Sequence, residues 1–227
     1  MNHSEALQEA KRIKDLELRP YNRTLPPCTQ RLWPKFDKYL SGRGLSFKLA
    51  RENFWFPSDQ AGDNVPRVVI PATATPPNIF WQARAMDDNP KRHFALLDGE
   101  RREPRYQSCH GPKGDALCIV WPHTVPIQGF VLFEGPMDAL AAAELGYAGV
   151  ATMGLPTKPG MEYLASMCLG AYKAPRIVVL DSDYAKPMLQ AAGLLLELGV
   201  RMKVLDPSPA KDFAELDRVH RLRLLEG

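Results

Sequence analysis

The pattern of hydrophobic positions changes near residue 129. From Gly129 onward, short, continuously apolar runs alternate with segments in which apolar residues recur at helical spacing. The apolar runs predict four strands, at 130–133, 150–152, 176–180 and 201–205. The other segments predict helices, at 137–145, 160–167, 187–198 and 211–225. Continuously apolar strands that alternate with helices are typical of a parallel sheet covered by helices on both faces.

The first half of the chain has a mixed pattern. Ser4 and Ser46 are placed to cap helices over 4–18 and 46–54, and a segment rich in proline separates the two helices. The charged section 87–115 is typical of a loop and a sheet edge. Short aromatic or apolar runs predict strands at 67–71, 78–84 and 117–121.

These patterns together predict a mixed α/β (α+β) chain. A small subdomain of helices and strands precedes a domain in which a parallel sheet is sandwiched by helices. We expect four units: an N-terminal helix and strap over 1–35, a basic subdomain over 36–128, the parallel-sheet domain over 129–217 and a helical tail over 218–227.

Composition excludes several classes of protein. The chain has 227 residues, of which 45% are hydrophobic and 24% charged, a balance unlike that of a disordered chain or a fibre. Its longest apolar stretches, such as 191–196, are far shorter than the roughly 20 residues that span a bilayer. The polar start at residues 1–5 does not resemble a secretory signal. We therefore expect a cytoplasmic protein without a membrane partner.

The four cysteines are irregularly spaced and include no Cys-x-x-Cys pair, so we expect reduced thiols. One combination of possible zinc ligands, Cys109 and His110 with Cys118 and His123, matches no common zinc module. No structural zinc is expected.

Charge is unevenly distributed between the two halves. Residues 1–128 carry 19 Lys and Arg against 14 Asp and Glu, whereas residues 129–227 carry 10 against 12, within a net charge of +3. A basic first half and an acidic second half suit a protein that binds phosphates with one part and a metal ion with the other.

Acidic residues follow three of the predicted parallel strands. Glu134 comes directly after the first strand, Asp181 and Asp183 come directly after the third, and Asp212 follows the fourth across a turn. Ligands of open parallel sheets bind at the carboxyl ends of the strands, so we expect these side chains to lie close together.

This arrangement indicates phosphoryl or nucleotidyl transfer with magnesium. Mg²⁺ prefers oxygen ligands and usually takes one or two carboxylates. An Asp-x-Asp pair can hold metals that neutralise a developing phosphate charge, and a nearby glutamate can bind metal or move a proton. Each acid alone also has a structural explanation, since Glu134 and Asp138 begin a helix and Asp183 is placed to cap one. Their order along the sheet favours the shared site.

Four segments of the second half, three of which contain these acids, resemble a Toprim domain, which bacterial-type primases, topoisomerases and some nucleases share. The segments are 133–140, 154–156, 179–185 and 211–212. The resemblance implies Mg²⁺ or Mn²⁺ as cofactor, with Glu134 as general acid/base and metal ligand. It also implies that Asp181 and Asp183 are catalytic metal ligands, supported by Asp138 and Asp212.

Segments of the first half resemble the part that precedes Toprim in replicative primases, most closely in phage primase–helicases. These segments are 39–46, 67–71, 80–84, 105–108 and 111–114. In primases the basic residues of this part contact template and nucleotide phosphates, which implies that role for Arg84, Arg105 and Lys113. Lys211, and Lys186 at a position that is often glycine in the family, are further candidates for nucleotide binding.

The resemblance implies a DNA primase-like nucleotidyltransferase, a DNA-directed RNA polymerase of phage or plasmid replication. It would make short primers from ribonucleoside triphosphates on a single-stranded DNA template. No zinc-ribbon module precedes this core and no helicase domain follows it in the sequence, so we expect a separate replicative helicase or zinc-ribbon protein as partner. Two alternatives stay open: a Toprim-type metal-dependent nuclease, and a non-catalytic module that binds single-stranded DNA or a replisome.

Overall fold

A computed structural model describes residues 24–61, 65–72, 80–87, 105–109, 113–171, 173–181, 185–206, 210 and 212–227. The helix predicted over 4–18 lies outside these residues. The helices are α1 (Trp33–Ser41), α2 (Phe47–Glu52), α3 (Pro136–Ala143), α4 (Lys158–Gly170), α5 (Ala185–Glu197) and α6 (Arg218–Glu226), with 3₁₀ turns at Gln30–Leu32 and Phe213–Glu215. The strands are β1 (Phe56–Ser58), β2 (Arg67–Ala72), β3 (Phe80–Ala85), β4 (Tyr106–Ser108), β5 (Cys118–Val120), β6 (Phe130–Phe133), β7 (Ala148–Ala151), β8 (Arg176–Val179) and β9 (Lys203–Leu205).

The first four strands form an antiparallel sheet in chain order. The strands predicted at 67–71 and 78–84 correspond to β2 and β3, and β4 is an edge strand within the charged section. Ser46 caps α2 as predicted, because its Oγ accepts a hydrogen bond from the Leu49 N–H at 3.1 Å. Two short helices therefore precede the first sheet in the described part of the chain; the sequence pattern predicted α2, whereas α1 is not one of the helices that it predicted.

The other five strands form a second sheet in the order β5-β7-β6-β8-β9. Strand β6 is parallel to both β7 and β8, and β8 is parallel to β9, which confirms the predicted parallel sheet. Strand β5 precedes residue 129 yet pairs antiparallel with β7. The second sheet thus takes strands from both sides of that position, and the division of the chain into four units stays a prediction.

The helix predicted over 211–225 is wrong in its first part. A 3₁₀ turn forms at Phe213–Glu215, and α6 begins only at Arg218. Leu216 has an extended backbone, and the Asp217 carboxylate accepts a hydrogen bond from the His220 N–H at 2.9 Å, which starts a new helix. The interruption leaves Asp212 at the head of the turn.

Helix α3 is buried on every side because it lies between the second sheet and the first half of the chain. All of its residues are buried, and one core cluster joins them to Val68 and Ile70 of β2. Its approach to β7 is close, since a Cβ on Gly149 would lie 1.9 Å from the carbonyl oxygen of Ala139. Helices α4 and α5 pack on the opposite face of the second sheet, so the predicted sandwich is confirmed.

None of the helices in the described part of the chain combines the length and the apolarity that crossing a membrane requires. The four cysteines are all described and carry free thiols, as predicted.

Candidate functional site

A cavity of about 260 Å³ lies where the first sheet meets the carboxyl ends of β6 and β8. Its acidic wall, from the second sheet and the segments that follow its strands, consists of Glu134, Asp138, Asp181, Asp212 and Glu215. Its polar and cationic wall, from the first half of the chain, includes Arg43, Gln82, Arg84, Arg105 and Tyr106. The cavity therefore brings carboxylates and guanidinium groups of distant segments together.

The parallel register of two strands positions the acidic wall. Leu132 of β6 lies opposite Val178 of β8, so Glu134 and Asp181 follow these strands at the same edge of the sheet. Four of the five acids singled out in the sequence line the cavity, and the fifth, Asp183, lies outside the described residues. Their catalytic and metal-binding roles stay predictions.

Glu134 carries a carboxylate oxygen that is buried without a hydrogen bond. Its Oε2 has no hydrogen-bond partner among the described residues. Burial raises the pKa of this carboxyl group, the Lys113 ammonium lowers it, and the charge of Asp212 raises it, with a net upward shift. A partly desolvated carboxylate of this kind is suited to accept a proton or to bind a cation.

Asp138 is buried at the start of α3. One of its carboxylate oxygens accepts a hydrogen bond from the Ala214 N–H at 2.7 Å, which ties α3 to the 3₁₀ turn that follows Asp212. Burial raises the pKa of Asp138 to about 7, the hydrogen bond from Ala214 opposes this shift, and the charges of Asp181 and Asp212 add to it. The acidic wall therefore carries negative charge that neighbouring cations do not fully neutralise.

The donors of the acidic wall fit a hard divalent cation. Carboxylate oxygens are the ligands that Mg²⁺ and Mn²⁺ prefer, and a cation there would relieve both the mutual repulsion of the acids and the unpartnered Oε2 of Glu134. Within the described ranges, no three acidic, histidine or cysteine side chains form a group that could hold one ion. The predicted Asp-x-Asp pair includes Asp183, which is outside those ranges.

Arg84 lies in β3 and is buried, held by two tyrosine hydroxyl groups. Its Nε donates to the Tyr39 hydroxyl at 2.6 Å and its Nη1 donates to the Tyr106 hydroxyl at 2.5 Å. The guanidinium carbon also lies 5.2 Å from the centre of the Tyr106 ring. The sequence singled out Arg84 as a phosphate contact, and the structure adds that its side chain is fixed in place at the cavity wall.

Lys113 is half-buried, and its ammonium group is engaged with the backbone. The Nζ donates to the carbonyl oxygens of Thr152 and Leu155, in the loop between β7 and α4. Burial lowers the pKa of Lys113 to about 8, while the Glu134 carboxylate opposes this shift. Lys113 is therefore close enough to Glu134 for each group to shift the pKa of the other. The contact of Lys113 with a nucleotide stays a prediction.

The other three cations predicted to bind phosphates or nucleotides do not share one location. Arg105 is exposed and lines the cavity next to β4. Lys186 is exposed in the first turn of α5. Lys211 lies outside the described residues.

Several residues of the first half that line the cavity were not predicted from the sequence. Gln82 lines the cavity two positions before Arg84 on β3, so strand alternation from Arg84 would have found it. Arg43 lies in the turn between α1 and α2, with its guanidinium carbon 5.2 Å from the centre of the Tyr39 ring. The segment that carries the resemblance includes Arg43, but nothing local to its sequence shows that this turn reaches the cavity.

Comparison with known families identifies the acidic half of this site. Residues 131–217 match the family model described as Toprim-like. The chain thus carries a Toprim-like domain, which contains strands β6 to β9 and the acidic wall.

The fold of the larger part of the chain is that of a phage primase fragment. The crystal structure of the primase fragment of the bacteriophage T7 primase–helicase aligns with 82% of this chain and 72% of that chain, at a TM-score of 0.50 and 19% identity. A second aligned chain comes from the structure of bacteriophage T7 lagging-strand DNA polymerase interacting with primase domains of two gp4 subunits bound to an RNA/DNA hybrid and dTTP. It covers 83% of this chain and 90% of that chain, at a TM-score of 0.48 and 18% identity. No curated protein matches the sequence significantly.

Proposed function

We propose that this protein is a primase-like nucleotidyltransferase that synthesises short RNA primers on single-stranded DNA with Mg²⁺ or Mn²⁺. One observation carries the proposal: a single cavity has carboxylates of a Toprim-like domain on one wall and guanidinium groups on the other. Phosphoryl chemistry needs both, because metal ligands and phosphate-binding cations must act on the same triphosphate. The likeness in fold to a phage primase fragment supports the same reading.

The cationic wall would bind the triphosphate and template phosphates. Guanidinium groups make bidentate hydrogen bonds to phosphate oxygens. The two tyrosine hydroxyls hold Arg84 in one position, so it would lose little conformational entropy on binding. Arg43 and Arg105 line the same wall and would add further phosphate contacts.

Glu134, Asp181 and Asp183 are the residues that would hold the metal, with Asp138 and Asp212 in support. When bound, the metal supplies positive charge that stabilises the phosphate charge developing in the reaction. This assignment is supported by the hard-oxygen chemistry of the donors and by the excess of negative charge at the acidic wall.

Glu134 would also accept the proton of the attacking hydroxyl. In the proposed step, the 3′-hydroxyl oxygen bonds to the α-phosphorus of the incoming nucleotide, pyrophosphate leaves, and the hydroxyl proton passes to Glu134. The raised pKa of Glu134 favours this role, because a general base works best when its pKa is close to the operating pH.

Partners of this activity would be a single-stranded template, ribonucleoside triphosphates, and a separate replicative helicase or zinc-ribbon protein. The first two are the substrates of the proposed reaction. The partner protein is proposed from the resemblance to primase–helicases. Pull-down with candidate partner proteins would test it.

Primer synthesis with labelled ribonucleotides tests the proposal directly. Single-stranded templates of mixed sequence are incubated with wild type, Asp181→Asn and the control Glu162→Gln, an exposed carboxylate on α4, with Mg²⁺ or Mn²⁺. We expect wild type and the control to make primers. Asp181→Asn should lose on the order of 100-fold or more, since metal-derived charge stabilisation is worth several kcal/mol.

Two outcomes would contradict the proposal. Equal product from wild type and Asp181→Asn would show that the acidic wall is not needed for the reaction. Metal-dependent shortening of the template without any primer would show a nuclease instead.

A further inference from the structure

Phe54 occupies a position that favours glycine. It follows α2 and has a positive φ of 64°. Its N–H donates to the carbonyl of Arg51, and the N–H of Trp55 donates to the carbonyl of Ala50, both at 3.0 Å. These two bonds define a Schellman motif, in which Phe54 is the left-handed residue that ends the helix.

Phenylalanine is unfavourable here in two respects. A bulky side chain with a left-handed backbone is strained, whereas glycine adopts this conformation freely. The Phe54 side chain is also 79% exposed, so burial within this chain does not offset the strain. A residue that strains the backbone while its ring stays in solvent indicates a function for the ring outside the fold.

A second exposed aromatic residue is fixed beside Phe54. The Asn53 side chain donates to the carbonyl of Trp121 at 3.0 Å and accepts from the Trp121 N–H at 2.8 Å. Trp121 is 46% exposed, and Val125 in the same loop is 91% exposed. We call Phe54 and Trp121 the aromatic patch. Asn53 connects its two halves, although they are distant in sequence.

A groove borders α2, the helix that ends at Phe54. This groove, of about 450 Å³, is lined by Gly44, Leu49, His123 and Arg218 among others. Its lining includes Gly44, which is in the same turn as Arg43 of the catalytic cavity. It also includes His123, which lies 2.6 Å from Glu52, two residues before Phe54.

Charges of both signs lie around the groove and along α2, and the acid Glu144 lines the groove. Lys48 is exposed on α2, Arg51 stacks on the ring of Trp33 with its guanidinium carbon 5.2 Å from the ring centre, and Arg218 lines the groove. The carboxylate of Glu52 is engaged by His123 and lies 4.0 Å from Lys48. Exposed aromatic rings beside cations are the surface on which single-stranded nucleic acids stack their bases.

We infer that the aromatic patch binds single-stranded DNA by base stacking, at a second contact for the template outside the catalytic cavity. The identity of this ligand rests on the proposed function, whereas the left-handed backbone and exposed ring of Phe54 are independent of it. A protein surface or a second copy of this chain is the competing occupant, and the experiment separates these outcomes.

The variant Phe54→Gly provides the test, because glycine suits the backbone and the protein should melt at the same or a higher temperature. Binding of an oligothymidylate of about 20 nucleotides is followed by fluorescence anisotropy at fixed salt. We expect a loss of roughly 5- to 100-fold in Phe54→Gly, as removal of one stacking platform predicts. Phe54→Tyr should bind like wild type. Leu196→Ala, an exposed apolar residue on α5, is the matched control and should also bind normally.

Affinity for a ribonucleoside triphosphate should be unchanged in Phe54→Gly, because the catalytic cavity is intact. Unchanged oligothymidylate binding by Phe54→Gly would overturn the inference. So would a shift in sedimentation with unchanged DNA affinity, which would show a self-association surface. DNA affinity is measured without synthesis, so an inactive wild type counts against the proposed function and a Phe54-independent affinity counts against this inference.

Discussion

The guanidinium of Arg84 on β3 donates a hydrogen bond of 2.6 Å to the hydroxyl of Tyr39 on α1. The two residues are separated by 45 positions. The bond joins helix α1 to the first sheet at the wall of the cavity that holds the acidic and cationic side chains, so the same contact stabilises the fold and positions Arg84.

We predict that Tyr39→Phe weakens both. The change leaves a buried charged donor without its partner, which costs roughly 1–3 kcal/mol of unfolding free energy. Affinity for a ribonucleoside triphosphate should also fall, because Arg84 loses a contact that holds it in place. Urea unfolding and nucleotide titration measure the two effects. Tyr163→Phe on α4 is the control, and equal nucleotide affinity in Tyr39→Phe and wild type would refute the positioning role.

Glu134→Gln should separate activity from stability. Loss of the proposed general base is expected to reduce primer synthesis by roughly 100- to 10,000-fold. Unfolding free energy should stay the same or rise, because the variant removes a charge that burial disfavours. Primer yield and thermal melting report the two quantities. A fully active variant would exclude Glu134 from proton transfer.

The stability of the metal-free protein should fall between pH 4 and pH 7 because of Asp138. Its pKa rises from 3.8 to about 7 on folding, so the native state holds this proton more tightly than the unfolded state. The resulting stabilisation is complete below the unfolded pKa and is lost as the pH rises through the folded value.

Asp138→Asn keeps an oxygen for the Ala214 N–H and cannot ionise. We therefore expect it to be more stable than wild type at about pH 8, by on the order of 3 kcal/mol, and to approach wild type at low pH. Urea unfolding in the presence of a chelator, repeated across pH, measures this difference. A constant gap between the two proteins at every pH would show that Asp138 is not the titrating group.

Gly149→Ala should destabilise the fold strongly. Its Cβ would lie 1.9 Å from the backbone carbonyl oxygen of Ala139, and backbone cannot rotate away as a side chain can. We expect a loss of roughly 3 kcal/mol or more in unfolding free energy. Gly193→Ala on α5 has open space at this atom and should be neutral or stabilise by up to about 1 kcal/mol. Similar stability of both variants would contradict the close packing of α3 on β7.

Local patterns in the sequence were sufficient for most elements of the parallel-sheet domain, apart from the start of the helix predicted over 211–225. Each strand and helix there buries a face that its own residues encode, so apolar runs and helical spacing place β6, β8 and the helices between them within a few residues. The position of Glu134 and Asp181 after their strands follows from the same local order. The carboxyl ends of parallel strands lie at one edge of the sheet, which is why the order of residues along the chain is enough to predict that acids following these strands converge.

Only the tertiary structure showed what faces those acids. Arg84 meets Tyr39 and Tyr106 across 45 and 22 residues, and Arg43 reaches the cavity from a turn between two helices. The pairing of β5 with β7 and the exposed ring of Phe54 are likewise invisible in the linear pattern. Periodicity tells which side of an element is buried, but not which other element buries it. That choice is made by long-range packing, which here places the cationic wall opposite the acidic one.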